Sequence, residues 1–487
     1  MRHAILIMAH NDIENISELT NYFDDDFSIF IHLDKRGKFT ADDLKTLKSK
    51  ENVFLISQKY KINRGGFKSL KAESFLMKKA LHHGDYDYFH LISGQDYPTK
   101  SLGEFKYFFK ETSDAEYIVC KKIPSEWATE RLRFFQPYDY FDCSKPKGSQ
   151  IINCITKFQQ KRTLYRKPQK QFNDLYEGPE WFSLTKNAVR YILDYTSKNP
   201  VFYNRLKYTM NASRVYIHTV LENSAFKEKI SNENLRYINQ GSKSNNFHAI
   251  LDERDFFKIL GTDALFARNV NNDKSKKLIE KLNYRISHPA FDNYESFNID
   301  ENGCFNNKFF KGHSYDRELG EAICLFSELM EVETIVDLGC GPGWYVKALR
   351  DAGFSVDGFD GNPHTKFLSD IIMQDGTSCN LIDLTEKNVF KEKYDMVLSL
   401  EVGEHIPEKF EDVYISNLLN NCKKYLIISW AIENQKGDGH VNCRNNEYII
   451  DKITRAGYIE IIPIKNYFRY VSELEWFKNT ILVFQKL

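Results

Sequence analysis

Three closely spaced glycines, Gly339, Gly341 and Gly343, form the clearest chemical signal in this sequence of 487 residues. They follow a short apolar run that contains Asp337, and a helical pattern begins near Tyr345. Glycine readily adopts positive φ angles and lets the backbone approach a ligand closely. The helix that follows would point its first amides and its positive dipole end at that ligand. The spacing therefore predicts a strand–turn–helix unit that binds a ligand at the turn.

Further acidic side chains occur where the next predicted strands end. Asp360 follows a strand predicted over residues 354–359 and lies seventeen residues after Gly343. At that position its carboxylate can accept hydrogen bonds from both hydroxyls of a ribose. Asp383 follows a short apolar run, and Glu401 ends another predicted strand. These positions predict that several carboxylates line the same edge of a parallel sheet.

The segment D-L-G-C-G-P-G, from Asp337 to Gly343, resembles the glycine turn of the class I S-adenosylmethionine-dependent methyltransferases. The resemblance covers about residues 300 to 487 and implies a Rossmann-like fold with S-adenosylmethionine as cofactor. A dinucleotide-binding fold is the alternative, but it usually has G-x-G-x-x-G, whereas the spacing here is G-x-G-x-G. The resemblance implies cofactor contacts from Asp337, Gly339, Gly341, Gly343, Asp360, Asp383, Leu384 and Glu401.

Two segments after Glu401 would lie close to a methyl acceptor in such a fold. In V-G-E-H-I-P, Glu404 and His405 follow the fourth strand, where they would face the sulfonium of the cofactor. A later loop contains His440 in the run Gly-Asp-Gly-His. Histidine titrates near neutral pH, so His440 is a candidate general base. The alternative is that His440 only closes the loop by hydrogen bonding.

The first half of the chain alternates predicted strands and helices. Strands are predicted over residues 3–8, 27–33, 53–56 and 88–92. Polar runs follow three of these strands: His10 to Asp12, His32 to Lys35, and Ser93 to Ser101. Such alternation predicts a mostly parallel sheet that binds ligands at the carboxyl ends of its strands.

The run H-L-I-S-G-Q-D-Y-P-T-K-S, which begins at His90, closely resembles the core-2/I-branching glycosyltransferase family, which includes the peptide xylosyltransferases. Further matches occur in family order over about residues 1 to 275: IMAHND, IFIHLDKR, RGGFKSLKAE, GPEWFSLTKNAVRYIL, IHTVLENSAFK, NLRYINQ and ALFARNV. The resemblance implies a GT-A-like fold and an inverting transfer from a nucleotide-sugar donor, typically a UDP-sugar. It also implies that basic side chains, rather than a metal ion, stabilise the departing diphosphate.

The first half accordingly offers no metal site that we would expect to be used. Asp24, Asp25 and Asp26 formally contain a D-x-D, but they precede the second predicted strand rather than follow it. We interpret them as a solvated loop. No metal is expected in either half.

The family resemblance assigns several donor and acceptor contacts. It implies donor contacts from His10, Asp34, Gly94 and Arg268, with Asn269 at the position where the family usually has a lysine. It implies that Glu104 holds the hydroxyls of the acceptor sugar. Alternatively, Asp34 caps a helix, and Glu104 lies on a solvated helix face.

The catalytic base of the family is replaced in this chain. Where the family has a glutamate before the I-H-T segment, this sequence has Arg214, which stays protonated and cannot accept a proton. This replacement leaves three alternatives: another carboxylate serves as the base, the subfamily binds and transfers the sugar differently, or the domain is inactive. Glu180 in G-P-E-W-F-S-L is the first candidate, followed by Glu104 and Asp96.

Composition limits the remaining possibilities. Lys and Arg together number 67, as do Asp and Glu, so nothing indicates a nucleic-acid partner. Nine cysteines without a C-x-x-C pair favour reduced thiols in a cytoplasmic protein over disulfides or a zinc site. No stretch approaches the ~18 apolar residues of a membrane helix, so we expect at most peripheral membrane contact.

The sequence therefore predicts two α/β domains, a glycosyltransferase domain over residues 1–290 and a methyltransferase domain over residues 300–487. The irregular polar segment 290–307 marks the predicted boundary. We expect a bifunctional enzyme of bacterial surface-glycan biosynthesis that extends a glycan or lipid-linked glycan and O-methylates a glycan or its precursor. Two alternatives stay open: the first half is an inactive glycan-binding module, or the methyltransferase acts on a protein or small molecule.

Overall fold

A computed structural model describes the chain except residues 12, 125–130, 167–173, 240–248, 290–298, 309 and 389. The described residues form two compact units. The first contains residues 1–255 and 263–286, and the second contains residues 256–262 and 287–487. Half of the predicted boundary segment 290–307, namely residues 290–298, lies outside the described residues. The short segment 256–262 belongs to the second unit because the Phe257 ring packs on Trp344, with centroids 4.6 Å apart.

Helices and strands alternate along most of the chain. The described α-helices are α1 (Ile13–Tyr22), α2 (Ala41–Lys48), α3 (Lys68–His83), α4 (Leu102–Glu111), α5 (Pro146–Lys161), α6 (Lys186–Lys198), α7 (Pro200–Arg205), α8 (Ser213–Glu222), α9 (Phe256–Leu260), α10 (Lys276–Ser287), α11 (Arg317–Leu329), α12 (Trp344–Asp351), α13 (Thr365–Met373), α14 (Glu411–Asn421), α15 (Asn446–Arg455), α16 (Ile462–Val471) and α17 (Phe477–Thr480). The described strands are β1 (His3–Ala9), β2 (Phe27–Leu33), β3 (Val53–Ser57), β4 (Tyr88–Ser93), β5 (Tyr97–Pro98), β6 (Lys121–Lys122), β7 (Tyr176–Glu177), β8 (Phe182–Thr185), β9 (Arg236–Ile238), β10 (Phe266–Arg268), β11 (Thr334–Leu338), β12 (Ser355–Asp360), β13 (Asn380–Leu381), β14 (Tyr394–Leu400), β15 (Cys422–Ser429), β16 (Tyr458–Glu460) and β17 (Leu482–Lys486).

The first unit is built on a five-stranded sheet with the order β3-β2-β1-β4-β8. Its strands are parallel except β8, which pairs antiparallel with β4. Alternate residues of β1 enter different cores: Ile5 and Ile7 pack on one face, and Ala4 and Leu6 on the other. A strand buried on both faces needs apolar residues at every position, as the run from Ala4 to Ile7 shows. This arrangement brings the polar runs after β1, β2 and β4 to one edge of the sheet.

The second unit contains a seven-stranded sheet with the order β13-β12-β11-β14-β15-β17-β16. Strands β11 to β15 are parallel to their neighbours, whereas β17 pairs antiparallel with both β15 and β16. This is the α/β Rossmann-like arrangement predicted for the second half. The strand order reverses between β11 and β14, and ligands of open α/β sheets bind at such a point.

The C-terminus departs from the prediction in one respect. From the sequence, the C-terminal run W-F-K-N-T-I-L-V-F-Q-K predicts a last strand at the edge of the sheet, but β17 lies between β15 and β16, and β16 forms the edge. Strand β16 could not be predicted, because its three residues, Tyr458–Glu460, are too few to show a periodic pattern. The antiparallel β17 also begins later than predicted, because Phe477–Thr480 form a helical turn first.

Candidate active sites

One cavity of about 420 Å³ lies at the carboxyl ends of the strands of the second unit. It is bounded by the glycine turn after β11, the end of β12, the turn after β14 and the loop that contains His440. Several buried polar atoms of its lining, among them Trp344 Nε1 and Asn307 Oδ1, have no hydrogen-bond partner among the described residues. Buried polar atoms are normally paired, so these atoms indicate a wall made to contact a polar ligand.

The glycine turn has the geometry that the sequence predicted. Gly339 and Gly343 have φ angles of 87° and 88°, in the left-handed region that disfavours side chains. A Cβ on Gly339 would lie 2.3 Å from a methyl group of Val402. Gly343 caps α12, whose first amides face the turn. Both glycines are thus required by the backbone conformation as well as by the close packing.

Asp360 and Asp337 place two carboxylates beside this turn. Asp360 accepts hydrogen bonds from the amides of Gly341 at 2.7 Å and Asn362 at 2.9 Å, and it also lines the cavity. Burial, together with the nearby charge of Asp360, raises the pKa of Asp337 to about 8. A carboxyl group that is costly to ionise, with its side chain at a cavity wall, favours a cationic ligand group.

Asp383 is not among the residues that line the cavity. Its Oδ1 accepts hydrogen bonds from the amide and hydroxyl of Thr385, and its Oδ2 accepts one from Asn302. The neighbouring Leu384 and Ile382 line the cavity instead. Asp383 thus supports its own loop, Leu384 lines the cavity, and the cofactor contacts expected from both stay predictions.

Four ionisable side chains meet at another part of the cavity lining. Ligand atoms of Glu404, His405 and His440 all lie within 4.8 Å of one another. Glu401 lies beside them; its carboxylate accepts hydrogen bonds from Thr480 and Gln435, each at 3.0 Å. Burial and the charge of Glu401 raise the pKa of Glu404 well above its usual value. Burial, reinforced by His440, lowers the pKa of His405 to about 4.

The loop that contains His440 is anchored by a buried carboxylate. Glu411 on α14 accepts hydrogen bonds from Asn442 and Arg444, each at 3.0 Å, and pairs with Lys452. Burial opposes ionisation of Glu411, but the hydrogen bonds from Lys452, Tyr448, Asn442 and Arg444 outweigh it and lower its pKa to about 2. This anchor fixes the loop two residues after His440.

In the first unit, Asp34 holds an arginine at the end of β2. Both of its oxygens bind the Arg36 guanidinium, and Oδ2 also accepts a hydrogen bond from the amide of Ile62 at 3.1 Å. Arg36 lines a cavity of about 380 Å³, together with Lys61, Lys145 and Lys147. Asp34 therefore positions a cation at a basic cavity. His10 is exposed and directly follows β1, the strand beside β2. Asp12 lies outside the described residues.

The turn after β4 is held together by its own side chains. Asp96 is fully buried and accepts hydrogen bonds from the amide and hydroxyl of Ser93, at 3.1 and 3.0 Å. Arg268 approaches Asp96 at 3.5 Å and stacks on the Trp181 ring. Gly94 packs so tightly that a Cβ there would lie 2.8 Å from Ala9 Cβ. Asp96 and Gly94 thus shape this turn, and Asp96 orients Arg268.

Glu104 contacts Ser101 and Arg285 inside the protein. Its Oε2 accepts hydrogen bonds from the amide of Ser101 at 2.9 Å and from Arg285 at 3.1 Å. Arg285 also pairs with the other oxygen, Oε1. The predicted alternative of a solvated helix face is wrong, because Glu104 is 5% exposed and forms a capping box with Ser101.

Glu180 lies next to a second carboxyl group that the sequence analysis did not single out. It accepts a hydrogen bond from Ser213 Oγ at 3.1 Å. Glu73 on α3 is buried, and burial, together with the charge of Glu180, raises its pKa well above the usual value. Arg214 donates to the carbonyl of Gly178 at 3.1 Å, and among the described residues it forms no ion pair. A carboxyl pair therefore occupies the region where the family has its glutamate.

The sequence profile of the core-2/I-branching enzyme matches residues 4–259, more than half of the chain. The chain belongs to the core-2/I-branching enzyme family. A methyltransferase-domain profile matches residues 312–427. The prediction of a glycosyltransferase-like domain followed by a methyltransferase domain is thereby confirmed.

Curated relatives match the first part of this family member. Xylosyltransferase 1 of Mus musculus is 25% identical over 228 residues, which cover 45% of this chain and 22% of that protein. Xylosyltransferase 2 of Homo sapiens is 23% identical over 314 residues, 59% of this chain and 34% of that protein. A probable beta-1,3-galactosyl-O-glycosyl-glycoprotein beta-1,6-N-acetylglucosaminyltransferase 7 of Sus scrofa is 26% identical over 176 residues, 34% of this chain and 36% of that protein. The chain thus spans between about a fifth and about a third of the length of these relatives.

Similar solved structures include methyltransferases. The magnesium protoporphyrin IX methyltransferase of Synechocystis PCC 6803 with bound SAM is 19% identical, with a TM-score of 0.27, and the match covers 34% of this chain and 78% of that chain. The methyltransferase domain of bacterial CtHen1 is 15% identical, with a TM-score of 0.28, covering 35% of this chain and 98% of that chain. Separately, none of the helices in the described part of the core-2/I-branching chain is long and apolar enough to cross a membrane.

Two groups of this core-2/I-branching enzyme were not fully foreseen from its sequence. Glu73 lies in the matched run RGGFKSLKAE, but its position in the helical pattern did not distinguish it from a charged residue on the solvated face of the helix. Glu404, His405 and His440 were each singled out, yet their separation along the chain hid their mutual contact. A Glu-His pair directly after a strand was the signal that could have revealed the cluster.

Proposed function

We propose that the chain has two transferase activities that act on glycans. The first unit transfers a sugar from a nucleotide-sugar donor, expected to be a UDP-sugar, by an inverting reaction without a metal ion. The second unit binds S-adenosylmethionine and methylates an oxygen of a glycan or its precursor. The setting we propose is cytoplasmic assembly of a bacterial surface glycan.

The observation that carries this proposal is the 420 Å³ cavity of the second unit. Its lining offers the amides of the glycine turn, Asp360 and Asp337, which suit a ribose and a cationic amino acid moiety. The same lining contains the cluster of Glu404, His405 and His440. A single cavity thus joins a cofactor-binding half to a set of groups that can handle a proton.

S-adenosylmethionine supplies an electrophilic methyl group on a sulfonium. The acceptor oxygen forms the new C–O bond while the C–S bond breaks and its electron pair stays on sulfur. Asp337 and Glu401 provide negative charge along the cavity that the cationic ligand needs. The acceptor proton leaves at the end occupied by His405 and His440, and the assignment of His440 as the base stays a prediction.

For the first unit, the donor proposal is supported by the cationic lining of its cavity. Arg36, held by Asp34, lies there with Lys61, Lys145 and Lys147. Fixed cations can stabilise the negative charge that develops on a departing diphosphate. We propose that the carboxyl pair of Glu73 and Glu180 replaces the missing glutamate, with Glu180 as the partly exposed member that accepts the acceptor proton.

Mass spectrometry of the surface glycan from a strain that lacks the gene tests the proposal. Loss of both a sugar residue and a methyl group is the expected result. A glycan unchanged in both respects would contradict it. Complementation with Asp360→Ala should restore the sugar but not the methyl group, and this separates the two activities.

A second candidate function for the first unit is glycan binding without transfer. Arg214 favours it, because an arginine at the position of the family base donates a hydrogen bond to Gly178 instead of accepting a proton. Titration with uridine diphosphate and assay of donor hydrolysis by the full chain distinguish the two candidates. A binding module would neither bind uridine diphosphate nor hydrolyse the donor.

A further inference from the structure

The cluster of Glu404, His405 and His440 has the composition of a metal site. Its three ligand atoms come from two imidazoles and one carboxylate, all within 4.8 Å of one another. Two histidines with one carboxylate on one side of an ion form a recurrent site for divalent first-row transition metals. Three protein ligands leave coordination positions free, and here those positions would face the cavity.

The orientation of both imidazoles fits metal binding. His405 Nδ1 lies 3.2 Å from the carbonyl oxygen of Gly439, and His440 Nδ1 lies 3.0 Å from that of Gln435. A carbonyl oxygen only accepts hydrogen bonds, so each Nδ1 carries the proton and each Nε2 presents a lone pair. Metal-ligating histidines are typically fixed in this way, with the other ring nitrogen donating to a carbonyl or carboxylate. The Sγ of Cys443 also lies 3.7 Å from His440 Nδ1.

Glu404 supplies the independent sign of a missing cation. The residue is fully buried, and among the described residues neither of its carboxylate oxygens has a partner with normal hydrogen-bond geometry. Buried carboxylates are normally paired or bound to a metal, because burial of an unpaired charge is costly. The second carboxylate, Glu401, lies beside it and adds negative charge. The structure thus brings two carboxyl groups together, and among the described residues no lysine or arginine pairs with either of them.

We propose that Glu404, His405 and His440 bind a divalent transition-metal ion whose open positions take the acceptor oxygen. The catalytic part of this inference rests on the proposed methyl transfer. A bound cation polarises an acceptor hydroxyl and lowers its pKa, so the proton can pass to water while the oxygen attacks the methyl carbon. His440 would then act as a ligand rather than as the general base. The inference departs from our sequence-based expectation that no metal is used.

Side-chain movements would close the site around an ion. Bonds of about 2.0–2.2 Å to nitrogen and oxygen place three ligands on one side of an ion roughly 3.0–3.6 Å apart, so ligand atoms that now lie up to 4.8 Å apart would approach one another by up to about 1–2 Å. The absence of a side chain at Gly437 keeps space open beside His440. A Cβ on Gly437 would lie 2.1 Å from His440 Nε2. Gly437→Ala therefore obstructs the site by displacing the His440 ring, although the three ligand residues themselves are not mutated.

The test is titration of the full-length protein with Co²⁺, followed by its d–d absorption and by calorimetry. One ion per chain is expected. His440→Ala, Glu404→Gln and Gly437→Ala should each weaken Co²⁺ binding at least roughly tenfold. His364→Gln, a histidine outside the cavity lining, should leave the affinity unchanged. Glu404→Gln also removes an unpaired buried carboxyl group, so its melting temperature in EDTA should equal or exceed that of the parent, which guards against a folding artefact.

Calorimetry with S-adenosylmethionine on the same variants separates this inference from the proposed function. Retained cofactor affinity together with lost Co²⁺ binding supports the metal site. Absence of Co²⁺, Mn²⁺ and Zn²⁺ binding by the parent protein, with cofactor binding intact, overturns the metal site alone. Co²⁺ affinity that is equal in the parent and all three variants also overturns it, because the ion would then bind elsewhere. Absence of cofactor binding in the parent would instead refute the methyltransferase function.

Discussion

The raised pKa of Asp337 predicts that cofactor binding releases a proton. In the free protein, burial and Asp360 raise the pKa of Asp337 to about 8. At pH 7 such a group is only about 10% ionised. A cationic ligand beside it favours the ionised form and lowers its pKa towards the ordinary value. Binding at pH 7 should therefore release about 0.9 proton from Asp337, about 0.5 at pH 8 and about 0.1 at pH 9.

Calorimetry in buffers of different ionisation enthalpy measures this proton release. The α-amino group of S-adenosylmethionine titrates in the same range, at about 7.7–8.0. The informative quantity is therefore the difference between the parent and Asp337→Asn, which keeps the shape but cannot ionise. A difference below about 0.2 proton at pH 7 would refute the reasoning, because Asp337 would then already be ionised in the free protein or lie away from the cation.

The sign of the linked stability effect provides a check without ligand. The pKa of Asp337 is higher in the folded state than in the unfolded state, where it is about 3.9. Its protonated carboxyl therefore contributes its full stabilisation when the pH is below about 3.9, and this contribution is lost as the pH rises towards about 8. Asp337→Asn should remove this part of the pH dependence. The variant should consequently gain thermal stability relative to the parent as the pH rises from 5 to 8.

Three further predictions concern the first unit and the anchor of the His440 loop. Glycosyl transfer, measured with the true donor and acceptor, should keep its rate in EDTA, because cations such as Arg36 replace a metal ion. Loss of this activity in EDTA and its recovery with Mn²⁺ would show that the first unit uses a metal. Glu180→Gln should lower the rate of glycosyl transfer roughly 10²- to 10⁴-fold if Glu180 takes the acceptor proton. Full activity of this variant would exclude Glu180 as the base. If the parent is inactive and Arg214→Glu creates activity, the parent domain is a binding module. Glu411→Gln should lower the free energy of unfolding by about 1.5–3 kcal/mol at pH 7. Since the pKa of Glu411 is lowered to about 2, the difference in unfolding free energy between parent and variant should shrink as the pH falls from about 4.5 towards 2. Chemical unfolding measures this difference, and a value independent of pH would contradict the role of the Glu411 carboxylate as an anchor.

Much of the second unit could be predicted because its signals are local. The positive φ angles of Gly339 and Gly343 follow from the turn chemistry, and Asp360 reaches the turn because parallel strands end at one edge. The role of Asp383 could not be predicted, because its partner Asn302 lies 81 residues away in the sequence. Side-chain partners that are distant in sequence leave no periodic trace.

The same limit applies more strongly to the first unit. The sequence singled out Glu104 as an acceptor contact, but not its pairing with Arg285, 181 residues later. Glu73 and Glu180 lie on different elements, so their proximity depends on how α3 packs beside the segment before β8. Strand order and burial patterns follow from hydrophobic alternation, whereas the pairing of buried charges depends on the assembled fold.

Cofactor binding in the second unit is the property on which the proposed methyl transfer most directly depends. Calorimetric titration of S-adenosylmethionine into the full chain, compared with Asp360→Ala, measures it. We expect one site per chain and an affinity at least roughly tenfold lower in the variant, because hydrogen bonds to a charged group are worth about 1.5–3 kcal/mol each. Asp360 also holds the amide of Gly341, so its loss loosens the glycine turn in the same direction. Absence of binding by the parent, or an affinity unchanged in Asp360→Ala, would contradict the assignment of this cavity.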